Sequence, residues 1–329
     1  MNRIGRSAVA LLSLGMASSS NSGELKLPIA CEVGRTCFIQ NYVDVDPGSA
    51  SMDYTCGSLT YDGHNGTDFR LPSHSAEQPD VAVVAAADGK VLRARDGIDD
   101  VAIERGGRDK VDGRECGNGV VVQHSQNRET QYCHMAKGSV RVKPGDAVKA
   151  GQVLGKVGMS GLTEYLHLHF VLRKDGKVID PFADGRAPGV CMGNAENHWQ
   201  ESVRAQLAYS PRTVLNFGFA SETVTNEAVE SGEVLLHKPT ADSPAIVAFI
   251  RTIGLKTGDV QKLTLRGPVG DILSENRAVA LERNRAQSLL YSGRLRPGQK
   301  WSRGTYTAAF VVSQDGQAVL EQQFQFELQ

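Results

Sequence analysis

Apolar and polar positions alternate in short runs along this chain, with a period near two, the repeat of a half-buried β-strand. Leu215, Phe217 and Phe219 alternate, as do Leu263 and Leu265, and later Phe324, Phe326 and Leu328. Gly119–His124, Thr130–His134 and Leu168–Leu172 are rich in β-branched and aromatic residues, and Val81–Ala87 is a continuous apolar run that reads as a buried strand. The stretch VKPGDAVKAGQVLGKVG, residues 142–158, places Pro144-Gly145-Asp146 and Ala150-Gly151-Gln152 at tight turns between short strands. Ser274–Leu290 fits neither period and stays open between helix and irregular chain. The fold class these patterns predict is all-β.

The strands fall into two groups. Before about residue 195 lie all six cysteines, six of the eight histidines and a dense series of short strands. Residues 199–329 carry longer alternating runs and almost no histidine, which predicts an antiparallel, immunoglobulin-like β-sandwich. The length of 329 residues agrees, at roughly 150 residues per domain. With 36 Lys+Arg against 37 Asp+Glu, the chain has no electrostatic footprint for nucleic acid. A hydrophobic fraction of 40% excludes a disordered polymer.

At the N-terminus, Arg3 and Arg6 precede an apolar run from Ala8 to Ala17, followed by Ser18, Ser19 and Ser20. This is the layout of a secretory signal peptide over residues 1–22, and the run is shorter than the about 20 residues a membrane span needs. The expected product is exported, periplasmic or extracellular, without a membrane span after cleavage. In an oxidising compartment the six cysteines predict three disulfides. Cys31 and Cys37 flank a short turn. Cys116 and Cys133 sit on or beside two neighbouring strands. Cys56 with Cys191 follows by elimination.

Three short segments carry candidate chemistry. YDGHNGTDF holds His64 and Asp68 four apart, TQYCHM holds His134, and YLHLHF holds His167 and His169 two apart. Strand alternation sends His167 and His169 to one face and Leu166, Leu168 and Phe170 to the other. Imidazoles with a carboxylate are a favourable zinc ligand set, and three protein ligands leave a catalytic site an open position. A lone His-x-His pair is more often structural; it is the combination of segments that points to a site.

These residues together resemble the signature of the lysostaphin-type (M23, LytM-like) zinc metallopeptidases. The Gly119–Val122 strand, the hairpin at residues 142–158 and Asp180-Pro181 also match that family's turn pattern, and the resemblance covers about residues 61–182. It implies an M23-type antiparallel β peptidase domain within residues 23–195, with the sandwich at 199–329 outside it. It implies His64, Asp68 and His169 as ligands of one Zn2+ per chain, with His134 and His167 as the catalytic, non-ligand histidines that handle protons and the oxyanion around the zinc-activated water. The implied substrate is a stem or cross-link peptide of bacterial cell-wall peptidoglycan.

The alternative from another class is a catalytically silent relative that binds the wall or activates another hydrolase, against which all five site positions are filled. A biotinyl- or lipoyl-carrier reading of the hairpin conflicts with the signal peptide. His124 reads as structural, and His74, His198 and His237 receive no role. Within the N-terminal segment, Asp44, Asp46 and Asp53 are candidates to cover the metal site. The sandwich carries no assignable motif, and its protein partner is unknown.

Overall fold

The computed structural model describes residues 24–73, 80–101, 112–186, 190–191 and 195–329. The signal-peptide expectation and His74 lie outside these residues. The described part of the first half builds ten strands: β1 (Phe38–Asn41), β2 (Thr67–Arg70), β3 (Ala82–Val84), β4 (Gly89–Arg95), β5 (Asn118–Gln123), β6 (Arg128–Met135), β7 (Ala147–Val148), β8 (Val153–Lys156), β9 (His167–Lys174) and β10 (Lys177–Ile179). Eight form one antiparallel sheet in the order β1-β2-β9-β6-β5-β4-β7 with β10 on β9, and β3 pairs with β8 separately. Val81–Ala87 yields only the three-residue β3, although Val83, Ala85 and Ala86 are buried as its apolar run requires.

One face of the sheet is the core. Phe69, Val120, Val122, Tyr132, Leu168, Phe170 and Leu172 point into it, and Trp199 packs against Phe170 and Phe182. Val203, within a short helix α1 (Glu201–Arg204), and Leu207 and Tyr209 beyond it join the same cluster. The polar alternates, including Asp68, His167 and His169, are left for the opposite face. All three disulfides form: Cys31–Cys37, Cys56–Cys191 and Cys116–Cys133.

The second half is a sandwich of a three-stranded and a four-stranded antiparallel sheet. Its strands are β11 (Thr213–Ala220), β12 (Ala245–Leu255), β13 (Val260–Arg266), β14 (Ile272–Arg277), β15 (Arg285–Leu295), β16 (Gly304–Gln314) and β17 (Gln317–Leu328), in the orders β11-β12-β15 and β14-β13-β16-β17. A helix α2 (Asn226–Ser231), capped by the Thr225 hydroxyl, follows β11. The open segment 274–290 proves to be the end of β14 and the start of β15, with a short connection between them. Leu215 and Phe219 are buried as alternation predicts, but Phe217 is 40% exposed, its ring lying beside Phe324. Phe38 of the first half closes a small apolar contact with Leu215 and Ile253 of the sandwich.

Candidate metal and catalytic centre

The register of three strands assembles the site. Asp68 on β2 lies opposite His169 on β9, and Arg70 lies opposite His167. On the other side of β9, His169 faces Cys133 on β6. In a regular strand His134 would then turn to the face opposite Cys133. Its backbone is instead left-handed, at φ 61°, and its amide donates to Cys116 O at 2.8 Å. That uncommon conformation breaks the alternation and brings the imidazole to 4.6 Å from the His167 ring and 5.9 Å from the His169 ring.

Four imidazoles therefore share one place, and each is held at one nitrogen by a fixed oxygen. His64 Nδ1 donates to Tyr42 O at 2.7 Å, His134 Nδ1 to Ser160 O at 2.8 Å, and His167 Nδ1 to Tyr165 O at 3.0 Å. His169 Nε2 donates to Asn65 Oδ1 at 3.0 Å. These acceptors set the tautomers, leaving His64 Nε2, His169 Nδ1, His134 Nε2 and His167 Nε2 available on the inner side. His64 Nε2 lies 3.2 Å from His169 Nδ1, and Asp68 Oδ1 lies 3.2 Å from the former and 2.8 Å from the latter. Ligand atoms on a tetrahedral zinc stand about 3.3 Å apart, so this donor set fits one Zn2+. His167 Nε2 stands slightly farther from Asp68 Oδ1, at 3.5 Å.

The electrostatics follow from burial and charge. Burial alone would raise the carboxyl of Asp68, but the imidazoles of His64, His167 and His169, which attract and donate to it once they are protonated on acidification, hold it well below the usual carboxylate range. Burial would likewise lower His64, and Asp68 outweighs it, so that His64 moves up. Burial pushes His134 well below the ordinary histidine value, reinforced by His167 and His169, and burial also lowers His167. Both are therefore neutral at pH 7, the form in which an imidazole can accept a proton.

Several contributors carry no motif of their own. Asn41 on β1 donates its amide to Asp68 Oδ2 at 2.8 Å and to the Tyr165 hydroxyl at 3.1 Å. Tyr165 precedes His167 by two residues, and Arg70 follows Asp68 by two, so the alternation that groups His167 with His169 was the available signal for both. For Asn41, far from the motif in sequence, there was none. Gly66 is required by space: a Cβ there would stand 2.6 Å from the His169 ring and 2.7 Å from Phe170 O. The site opens into a cleft of about 680 Å³ that reaches from Tyr61 to Arg173 and touches Ala286 of the sandwich.

The remaining candidates fall elsewhere. His124 bonds Asp88 O and Thr130 Oγ1, a structural role. His198 is buried against Asp184 and Glu196, away from the cleft lining. Asp44 does not cover the metal site. It accepts from the backbone amides of Asp46, Met52 and Gly63 and so braces the loop leading to His64. Asp46 caps Gly48, and Asp53, fully buried, anchors Thr55, Gly57, Leu59 and Tyr209.

Part of this chain is similar in sequence to known proteins. Residues 62–181 match the model for Peptidase family M23. The peptidoglycan DD-endopeptidase ShyA of Vibrio cholerae is 31% identical over 117 residues, 36% of this chain and 22% of that protein. An uncharacterized metalloprotease of Haemophilus influenzae is 31% identical over 130 residues, 40% of this chain and 22% of that protein. The chain thus spans about a fifth of the length of these curated relatives. Among solved structures, the catalytic domain of the prophage-encoded M23 protein EnpA from Enterococcus faecalis is 25% identical, with a TM-score of 0.32, covering 46% of this chain and 95% of that one.

Proposed function

Residues 62–181 belong to peptidase family M23, and from that premise we propose that this chain is an exported zinc endopeptidase hydrolysing peptide bonds of bacterial peptidoglycan. The observation that carries the reading is the convergence of four inward imidazole nitrogens and the Asp68 carboxylate on one point of a cleft. His64, Asp68 and His169 are the residues that would hold Zn2+. Bound zinc would supply Lewis acidity, polarising the scissile carbonyl and making water acidic near neutral pH.

The chain's own groups account for the rest. His134 and His167, neutral and fixed through Nδ1, present Nε2 to the cleft, where one can accept a proton from the attacking water and pass it to the leaving amine. The ring that takes that proton gains an Nε2–H and becomes the donor placed to stabilise the developing oxyanion before the proton passes to the leaving amine. The cleft floor is the outer face of β6 and β9, each eight residues long, a length that matches an extended peptide of several residues. Three disulfides suit an oxidising, exported environment. Among the described residues no helix is long and apolar enough to cross a membrane.

The test is metal analysis combined with digestion of purified sacculi and mass analysis of the fragments. One zinc per chain, lost in His64→Ala and His169→Ala, and release of cleaved peptides are expected. Stoichiometric zinc retained in both variants would sink the ligand assignment, and intact sacculi would sink the hydrolase reading.

A further inference from the structure

The cleft has a second polar feature, separate from its histidines. Strand β9 presents His167, His169, Val171 and Arg173 along one face, and all four line the cleft. At about 3.3 Å per residue, Arg173 stands roughly 13 Å along the floor from His169, a distance an extended peptide spans in about four residues. Among the described residues that line the cleft it is the sole Lys or Arg, against Asp68, Glu115 and Glu164.

Arg173 is braced on one edge only. Its Nη1 donates to Gln131 Oε1 at 2.7 Å. Gln131 lies opposite Val171 on β6, and its Nε2 donates to the sulfurs of Cys116 and Cys133 at 3.2 and 3.1 Å. Disulfide sulfurs can only accept, so they fix which end of the amide faces the arginine. Glu129 is its cross-strand partner and attracts it electrostatically, yet among the described residues no carboxylate lies within ion-pair distance of Arg173. A guanidinium carries five donors in a planar fork suited to a carboxylate, and among the described residues one of them is used here.

We propose that Arg173, positioned by Gln131, is a subsite for a carboxylate of the substrate peptide, about four residues along the chain from the scissile bond. The acidic groups elsewhere in the cleft disfavour that carboxylate at other positions, so the subsite sets the register in which an acidic peptide lies across the histidines. The proposal rests on the reading of the cleft as a peptidase groove and adds the chemistry of one of its binding positions.

The experiment uses the zinc-loaded full chain and a synthetic stem-peptide dimer, offered with free carboxylates and with each carboxylate amidated in turn. One amidation should raise KM about tenfold with kcat little changed. Arg173→Gln should remove that preference, and Arg173→Lys, which keeps the charge but not the fork, should keep part of it. Calorimetric titration of the same dimers into His134→Ala, with and without Arg173→Gln, measures the preference without turnover. Cleavage with no carboxylate preference, or a preference that survives Arg173→Gln, overturns the subsite and leaves the hydrolase reading intact. A calorimetric preference that disappears with Arg173→Gln, in a protein that cleaves no dimer, supports the subsite while the hydrolase reading falls.

Discussion

Arg70 and Glu230 form an ion pair of 2.6 Å across the boundary between the histidine-bearing sheet and the sandwich. Glu230 comes from α2, and the same carboxylate oxygen also pairs with Arg251 of β12. Arg251 in turn bonds Pro72 O and Asn216, and Asn216 bonds Pro72 O at 3.0 Å. On the other side, the Arg70 guanidinium lies 4.1 Å over the Tyr165 ring, and Tyr165 shares the Asn41 amide with Asp68. One shared carboxylate, together with the bonds to Pro72 O, thus fastens the sandwich to the strand that carries Asp68.

That arrangement predicts a large effect from a small change. The Arg70 and Arg251 side chains are 1% and 0% exposed, and burial lowers Arg251 to about 10 even beside Glu230. Glu230→Gln leaves two buried guanidiniums without their anion, for which losses of about 3 kcal/mol are typical. Chemical denaturation followed by tryptophan fluorescence should show the midpoint falling accordingly. A midpoint within about 0.5 kcal/mol of the parent would mean that the cluster does not hold the two halves together.

Asn41 provides a narrower test, aimed at the metal. It fixes Asp68 Oδ2 and so leaves Oδ1 turned toward His64 and His169. Outer partners of metal ligands commonly contribute about 10–100-fold in affinity. Asn41→Ala should weaken zinc binding by that factor in competition with a chelator, while kcat at saturating zinc changes less. Unaltered zinc affinity would show that Asp68 needs no such brace.

Asp180 is a buried carboxyl with little nearby positive charge to offset its burial. Burial raises its carboxyl to about 7, the Phe182 amide and Arg186 only partly opposing this. A carboxyl whose pKa is higher folded than unfolded binds the extra proton in the native state. Its contribution is therefore intact below about pH 4 and is lost as pH rises toward 7. The loss is at most about 4 kcal/mol for three pH units. Asp180→Asn keeps the oxygen that accepts from Phe182 and removes the ionisation. Its stability relative to the parent should rise between pH 5 and pH 8, measured as the difference in unfolding free energy. A constant difference across that range would contradict the buried, raised carboxyl.

How much of this was legible depends on sequence distance. His64, Asp68, His167 and His169 sit in short local motifs, and strand alternation alone puts the last two on one face. The sandwich was readable where apolar alternation is strong, as at Leu263 and Leu265, and obscure at Ser274–Leu290. There β14 and β15 have few buried positions to mark a period. Phe217 misled because an alternating aromatic can pack on a neighbouring ring at an exposed edge without entering the core. Asn41 and Glu230 act on a strand 27 and 160 residues away, respectively, and no local pattern connects positions so far apart. Nor does any pattern announce the left-handed backbone at His134.

That backbone makes His134 the sharpest test of the proposed chemistry. Among the described residues it makes no hydrogen bond to any of the three proposed ligands; its ring is held by Ser160 O and its amide by Cys116 O. His134→Ala should accordingly retain one zinc per chain and the parent's melting behaviour to within about 1–2 kcal/mol. Loss of a positioned proton carrier typically costs 10²–10⁴-fold, so kcat on a stem-peptide dimer should fall by about that factor. The parent rate should also decline on acidification as the histidines gain protons, since the neutral imidazole is the form that accepts one. Substitution by Gln, which can donate a hydrogen bond but cannot carry a proton at neutral pH, should restore little. Full turnover in either variant, with zinc still bound, would remove His134 from the reaction and leave proton transfer to His167.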